Sequence, residues 1–193
     1  MWGSQTYGLV PDILICAKAL TSGYLPIAAV LINRRVFDAI APKTEELGVF
    51  GHGYTYSGHP VPAAVAIETL KIYEEIDLVA RVKQASALFL KRLHALGGHP
   101  LVGETMGVGL VGAIELVADK TTRHSFEQAG KAGAYLVSRA QAHGLIVRAM
   151  GDRIAFSPPL IISDAETAAL FDRVEIALTE TAVWLENGGL TGN

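Results

Sequence analysis

Half of the 193 residues are apolar and the formal net charge is only −3, which leaves enough material for a real core in one ordinary domain or two small ones. So mild a charge gives no basic footprint for nucleic acid and no polybasic signal for a membrane surface. The one cysteine, Cys16, excludes an intrachain disulfide framework, argues against a cysteine-based zinc site and suits a reducing, cytoplasmic setting.

The opening stretch MWGSQTYGLVPD has neither the basic nor the apolar region of a secretory leader. After its Pro-Asp, ILICA (13–17) reads as a short buried strand and PIAAVLI (26–32) as a second, with GYLP marking a turn between them. The aliphatic run IAAVLI is far too short to span a bilayer. RRVFDAIA (34–41) reads as a helix ended by Pro42, and residues 43–58 as a long loop rich in glycine and aromatic residues. VPAAVAIETLKIYEEI (61–76) has helical periodicity with proline in its first turn. A second helix follows near 77–96 and stops at Gly97 and Gly98. Beyond it the texture changes. ETMGVGLVGAIEL (104–116) reads as one glycine-punctuated strand, 126–143 as a helix closed by Gly144, and LIVRA (145–149) and RIAFSPP (153–159) as short strands. The last helix, 163–187, opens with Ser163 and Glu166 at capping-box spacing. The divide between a strand-rich first part and an alternating second part falls in the helix around 77–97.

Lys18 closes the first apolar run, at the kind of strand end where ligands gather in α/β sheets. A lysine there can simply snorkel into solvent. In a partly desolvated pocket its amine instead becomes a usable nucleophile, the chemistry of a Schiff-base lysine. The loop GHGYTYSGHP (51–60) shifts the balance. Thr55 and Ser57 offer hydroxyls, the glycines open the backbone to a ligand, and a helix starts at once, an arrangement suited to phosphate. His52 and His59 lack a third ligand at useful spacing, so no metal site is expected. A Schiff-base lysine beside a phosphate-holding loop asks for a phosphorylated aldehyde, of which pyridoxal phosphate is the common cofactor.

Three segments then resemble one family, the class III (omega-type) aminotransferases, in the right order along nearly the whole chain: PDILICAKALTSGYLPIAAVLI, GHGYTYSGHPVPAAVAIETL and IVRAMGDRIAFSPPLIIS. The resemblance is to the omega-amino acid or amine:pyruvate branch. It implies that Lys18 holds pyridoxal 5'-phosphate and moves the substrate proton. It also implies that Thr55 bonds the cofactor phosphate across a homodimer interface, with Tyr54 and Ser57 in the same motif. Arg148 matches the arginine that pairs with a substrate carboxylate and swings away for amines lacking one. Trp2 and Tyr24 are expected to line the site.

The fold implied is α/β, the aspartate-aminotransferase type: a large domain with a mostly parallel sheet and a smaller C-terminal α+β domain. Residues 1–85 are expected to be the C-terminal part of the large cofactor-binding domain, and 86–193 the small domain. The family's chains are longer on the N-terminal side, where they hold the aspartate that pairs with the pyridine nitrogen. Asp12 belongs to the Pro-Asp before the lysine strand and is not that residue. The expectation is therefore the C-terminal portion of an aminotransferase, inactive or nearly so alone. The reaction implied moves an amino group from an amine or omega-amino acid to pyruvate or a similar keto acid. Alternatives are an aminomutase or decarboxylase of the same family, or a non-catalytic fragment.

Overall fold

The computed structural model describes residues 3–190, and the chain divides into two compact units, Met1–Val79 and Ala80–Asn193. The first begins with a single helical turn, α1 (Gly3–Thr6), and then β1 (Ile13–Cys16), which pairs antiparallel with β2 (Ala29–Ile32). The register sets Ile13 against Ile32 and Ile15 against Val30. A helix α2 (Arg34–Leu47) and the proline-led helix α3 (Pro60–Glu75) follow, joined by the loop 48–59. The mostly parallel sheet implied for the large domain has no parallel pair among the described residues.

Helix α2 does not end at Pro42 as the sequence suggests. Asn33 caps its start, its side-chain oxygen accepting from Val36 N–H at 3.0 Å, and Gly48 closes it at φ +69°. Between these ends the proline removes one backbone donor but not the helix. The segment beyond it is rich in helix formers, with a Lys43–Glu46 ion pair at 2.6 Å.

Among the described residues of the first unit only two apolar side chains are buried, Ala66 and Leu78. The strand pair shows its apolar residues to solvent: Ile15 is 72% exposed and Val30 62%. Strands this apolar are built to be covered on both faces.

The second unit has the opposite character. Helix α4 (Leu78–Ala95) begins at the boundary and ends in a 3-10 turn at Leu96–Gly98. Strands β3 (Val102–Val108), β4 (Val111–Leu116), β5 (Arg148–Met150) and β6 (Arg153–Phe156) form one antiparallel sheet in the order β3-β4-β6-β5. The glycine-punctuated run is thus a hairpin rather than one strand, turning where Val108 faces Val111 with Gly109 at φ +60°. Helix α5 (Lys131–Ala142) starts five residues later than its sequence pattern, and α6 (Asp164–Glu186) carries the expected capping box between Ser163 and Glu166.

Alternation along β4 and β6 points Ile114, Leu116, Ile154 and Phe156 into one core with Phe89, Leu93, Leu136 and Phe171. Phe171 meets Phe89 edge-on at 5.3 Å and lies 5.9 Å from Phe156. Each such side chain contributes roughly 1.5–3 kcal/mol on burial. Arg92 lies over the Phe171 ring and bonds Asp172 at 2.6 Å, fastening α4 to α6. The opposite sheet face carries Ala113, Glu115, Arg153, Ala155 and, on the edge strand, Arg148 and Met150. Among the described residues no helix is long and apolar enough to cross a membrane.

Candidate active site

Lys18 is the first residue of a 3-10 turn, Lys18–Thr21, directly after β1. The turn is set by its own chain. Thr21 is fully buried and its hydroxyl donates to the Leu25 carbonyl at 2.6 Å. The backbone then reverses through Ser22 at φ 50° and Gly23 at φ 81°, and Gly23 N–H donates to the Lys18 carbonyl at 3.0 Å. The Tyr73 hydroxyl of α3 donates to the Ala19 carbonyl at 3.0 Å. The lysine is thereby held at a defined place on the surface of the first unit. Its side chain is exposed, and among the described residues its amine has no bonding partner. Among the described residues of the first unit, the Lys18 side chain is not enclosed by a pocket.

Every residue of the loop 48–59 is exposed. Tyr54 packs edge-on against His52 at 4.5 Å, and Ser57 N–H donates to the Tyr54 carbonyl at 3.0 Å. The Thr55 and Ser57 hydroxyls are unengaged among the described residues. Leu25, Pro26, Tyr54, Ser57 and His59 line an open cleft of about 700 Å³, with neither Lys18 nor Thr55 in its wall. Tyr24 sits on the lysine-bearing segment, 83% exposed and outside that cleft. Trp2 lies outside the described residues.

The start of α3 departs from the expectation for phosphate. Its first turn has no free donor: Pro60 and Pro62 have no N–H, Val61 N–H donates to His59 Nδ1 at 3.1 Å, and Ala63 N–H donates to the His59 carbonyl. A phosphate near this loop must therefore be held by the hydroxyls and the loop N–H groups, not by the helix terminus.

Asp12 is engaged elsewhere. Its carboxylate accepts from Asn33 Nδ2 at 2.5 Å and from Arg35 at 2.6 Å, clasping the start of β1 to the start of α2. It is a structural clasp, as its place in the Pro-Asp motif suggests.

In the second unit Arg148 stands on the outer strand of the sheet, opposite Ala155. Its guanidinium is exposed and has no carboxylate partner among the described residues. It borders an open cleft of about 820 Å³ whose wall is mostly apolar, including Ile146, Met150 and Phe156, with Arg173 and Glu166 as the other charged groups. Glu166 is occupied by its cap: the Ser163 backbone N–H and hydroxyl hold its carboxyl below the usual range. Arg148 and Arg173 are left as the cations facing that cleft.

Among the described residues, the candidate site residues thus lie at a strand end, in a 3-10 turn and in loops. Thr21 and Tyr73, which hold the Lys18 turn, and Asp152 of the β5–β6 turn have no role in the sequence reading, although Thr21 and Asp152 lie within the matching segments. Their partners are 4 and 54 residues away for Thr21 and Tyr73, and 22 and 19 for Asp152.

A family model described as aminotransferase class-III matches residues 1–178. The chain is 42% identical over 181 residues to gamma aminobutyrate transaminase 3, chloroplastic, of Solanum lycopersicum, covering 94% of this chain and 35% of that protein. It is 43% identical over 182 residues to putrescine–pyruvate aminotransferase of Pseudomonas aeruginosa, covering 94% of this chain and 39% of that one. Among solved structures, the omega transaminase from Pseudomonas jessenii in complex with PMP superposes with a TM-score of 0.92 at 48% identity, over 97% of this chain and 42% of that chain. The chain therefore spans well under half the length of these relatives.

Proposed function

The chain belongs to the class III aminotransferases, and on that premise we propose that it carries the lysine-bearing and carboxylate-binding parts of a transaminase. The reaction would move an amino group from an amine or omega-amino acid to pyruvate or a similar keto acid. The cofactor is pyridoxal 5'-phosphate, which when bound supplies the electron sink for deprotonating the carbon that bears the amine.

The residues present fit two of the cofactor's three polar ends. Lys18 offers an unengaged amine to the aldehyde. Thr55 and Ser57 offer unengaged hydroxyls to the phosphate, beside glycines 51 and 53, where open space surrounds the backbone. Asp12, the acidic residue that precedes Lys18 in its own motif, is tied to Asn33 and Arg35 and is not offered to the ring nitrogen.

In this reading Lys18 would hold the cofactor, and its amine would carry the substrate proton. Thr55 donates to the phosphate, in a homodimer to that of the partner subunit, and Tyr54 and Ser57 shape the same loop. Arg148 receives the substrate carboxylate through the two-pronged geometry of its guanidinium. Tyr24 and Trp2 wall the substrate. A cytoplasmic setting is part of the proposal and is supported by the single cysteine. The observation that carries the reading is the state of Lys18: a cation at a strand end, fixed in backbone by Thr21 and Tyr73, with its amine left free.

Retention of the cofactor tests this. The full chain incubated with pyridoxal phosphate should carry its absorbance through gel filtration, Lys18→Ala should lose it, and Thr55→Ala should weaken it. Equal retention by all three proteins contradicts the proposal. A second reading, a non-catalytic binding or assembly fragment, is favoured by the exposed apolar strand pair of the first unit. A folded chain that retains no cofactor would support it.

A further inference from the structure

Helix α5 begins with a sequence that cannot cap itself. Its N-cap is Gly130, at φ 84°, and its third residue is Gly133. Neither has a side chain to satisfy the backbone donors that every helix start leaves over. Both donors go to one carboxylate from outside the helix. Gly130 N–H donates to Asp152 Oδ2 at 2.7 Å and Gly133 N–H to Asp152 Oδ1 at 2.9 Å. Asp152 thus supplies from the β5–β6 turn both halves of what a capping box supplies from within, and it places a negative charge at the positive end of the helix.

The fit is close. A Cβ on Gly133 would lie 2.1 Å from the Gly151 carbonyl oxygen, so the turn rests directly on the first turn of the helix. The turn itself has two residues, Gly151 at φ 65° and Asp152, between the paired Met150 and Arg153. The Asp152 carbonyl also accepts from Leu116 N–H at 2.9 Å, at the end of β4. Three elements therefore meet at Asp152: the sheet, the hairpin and the helix. The hairpin's outer strand is β5, only three residues long, and Arg148 is its first residue. β5 is an edge strand, held by its ladder to β6, by α5 packed against it and by this turn.

We propose that Asp152 is a positioning residue for Arg148: by clamping the β5–β6 turn to the start of α5 it sets where the guanidinium meets a carboxylate. This rests on the assignment of Arg148 as the carboxylate-binding group. Substitution of Asp152 shifts carboxylate recognition while leaving recognition of carboxylate-free amines alone. Gly133→Ala acts on the same contact from the helix side and has the same consequence.

The test uses the full chain and the modification of Arg148 by phenylglyoxal, quantified by peptide mass spectrometry. Butyrate is the carboxylate probe and butylamine the carboxylate-free control. In the unsubstituted chain butyrate protects Arg148 and butylamine does not. In Asp152→Ala the butyrate concentration for half-protection rises by about fivefold, and in the shape-conserving Asp152→Asn by less. Arg92→Ala, which breaks the α4–α6 fastening and leaves the Asp152 clamp intact, lowers the melting temperature but leaves protection unchanged. Unchanged protection in Asp152→Ala, or an equal loss in Arg92→Ala, overturns the proposal. Absence of protection in the unsubstituted, folded chain is a separate result: it removes the assignment of Arg148 and the proposal with it.

Discussion

The Tyr73 hydroxyl donates to the Ala19 carbonyl at 3.0 Å, a bond that spans 54 residues and ends one position from Lys18. It ties the lysine-bearing turn to the flank of α3, in a unit that has little buried apolar surface to do so. Tyr73→Phe removes the bond and keeps the ring, at a cost of about 0.5–1.5 kcal/mol. Backbone amide exchange at Ser22–Tyr24 should accelerate while exchange in α6 stays the same. Equal exchange in both proteins would show that the turn does not depend on this bond.

The two units should respond oppositely to loss of an apolar side chain. Phe171 is fully buried between Phe89 and Phe156, so Phe171→Ala should cost about 3–5 kcal/mol in urea denaturation of the second unit. Ile15 is 72% exposed, and Ile15→Ala should change stability by less than about 0.5 kcal/mol. A large cost at Ile15 would mean that the strand pair is covered in solution, for instance by a second copy of the chain.

Acid should loosen the contact between α5 and α6. Hydrogen bonds from Arg139 and His143 hold the Glu180 carboxyl below its ordinary value of 4.5. A carboxylate whose folded value is depressed contributes stability that is fully present above the ordinary value and is lost as pH falls through the folded one. The melting temperature should therefore decline from about pH 4.5 downward, and Glu180→Gln should flatten that decline while lowering stability at neutral pH. An unchanged acid slope in the variant would assign the decline to other carboxylates.

Pro42 should be a point of avoidable weakness. It lies inside α2, where proline is about 3 kcal/mol less favourable than alanine. Pro42→Ala should slow amide exchange across α2 and raise its stability by about 1–3 kcal/mol. A loss of stability would mean that the helix bends at this position to meet a contact that a straight helix would miss.

Pro42 also marks where sequence reading stops. A proline after an apolar run usually ends a helix, and nothing local announces that Asn33 and Gly48 hold this one together at both ends. The glycines of residues 104–116 misled in the other direction. They suggested one punctuated strand, but Gly109 makes a turn, and a Cβ at Gly107 or Gly112 would meet the tip of the Leu93 side chain. Spacings are legible when cause and effect lie within one turn, as in the Ser163–Glu166 capping box of α6. The Gly-Asp of the β5–β6 turn is a local hairpin signal, but its carboxylate acts on a helix start 19 to 22 residues earlier, which no window of sequence displays. For the same reason motifs mark Lys18, Thr55 and Arg148 as candidate groups, while the Thr21 and Tyr73 bonds that hold the Lys18 turn carry no such local signal.

The central claim is that Lys18 is a chemical group and not a surface cation. The direct measurement is to incubate the full chain with pyridoxal phosphate, reduce with borohydride and map the modified peptides by mass spectrometry. A stoichiometric adduct confined to Lys18 is expected. Scattered labelling of surface lysines such as Lys43, Lys71 and Lys131, with no preference for Lys18, would contradict it.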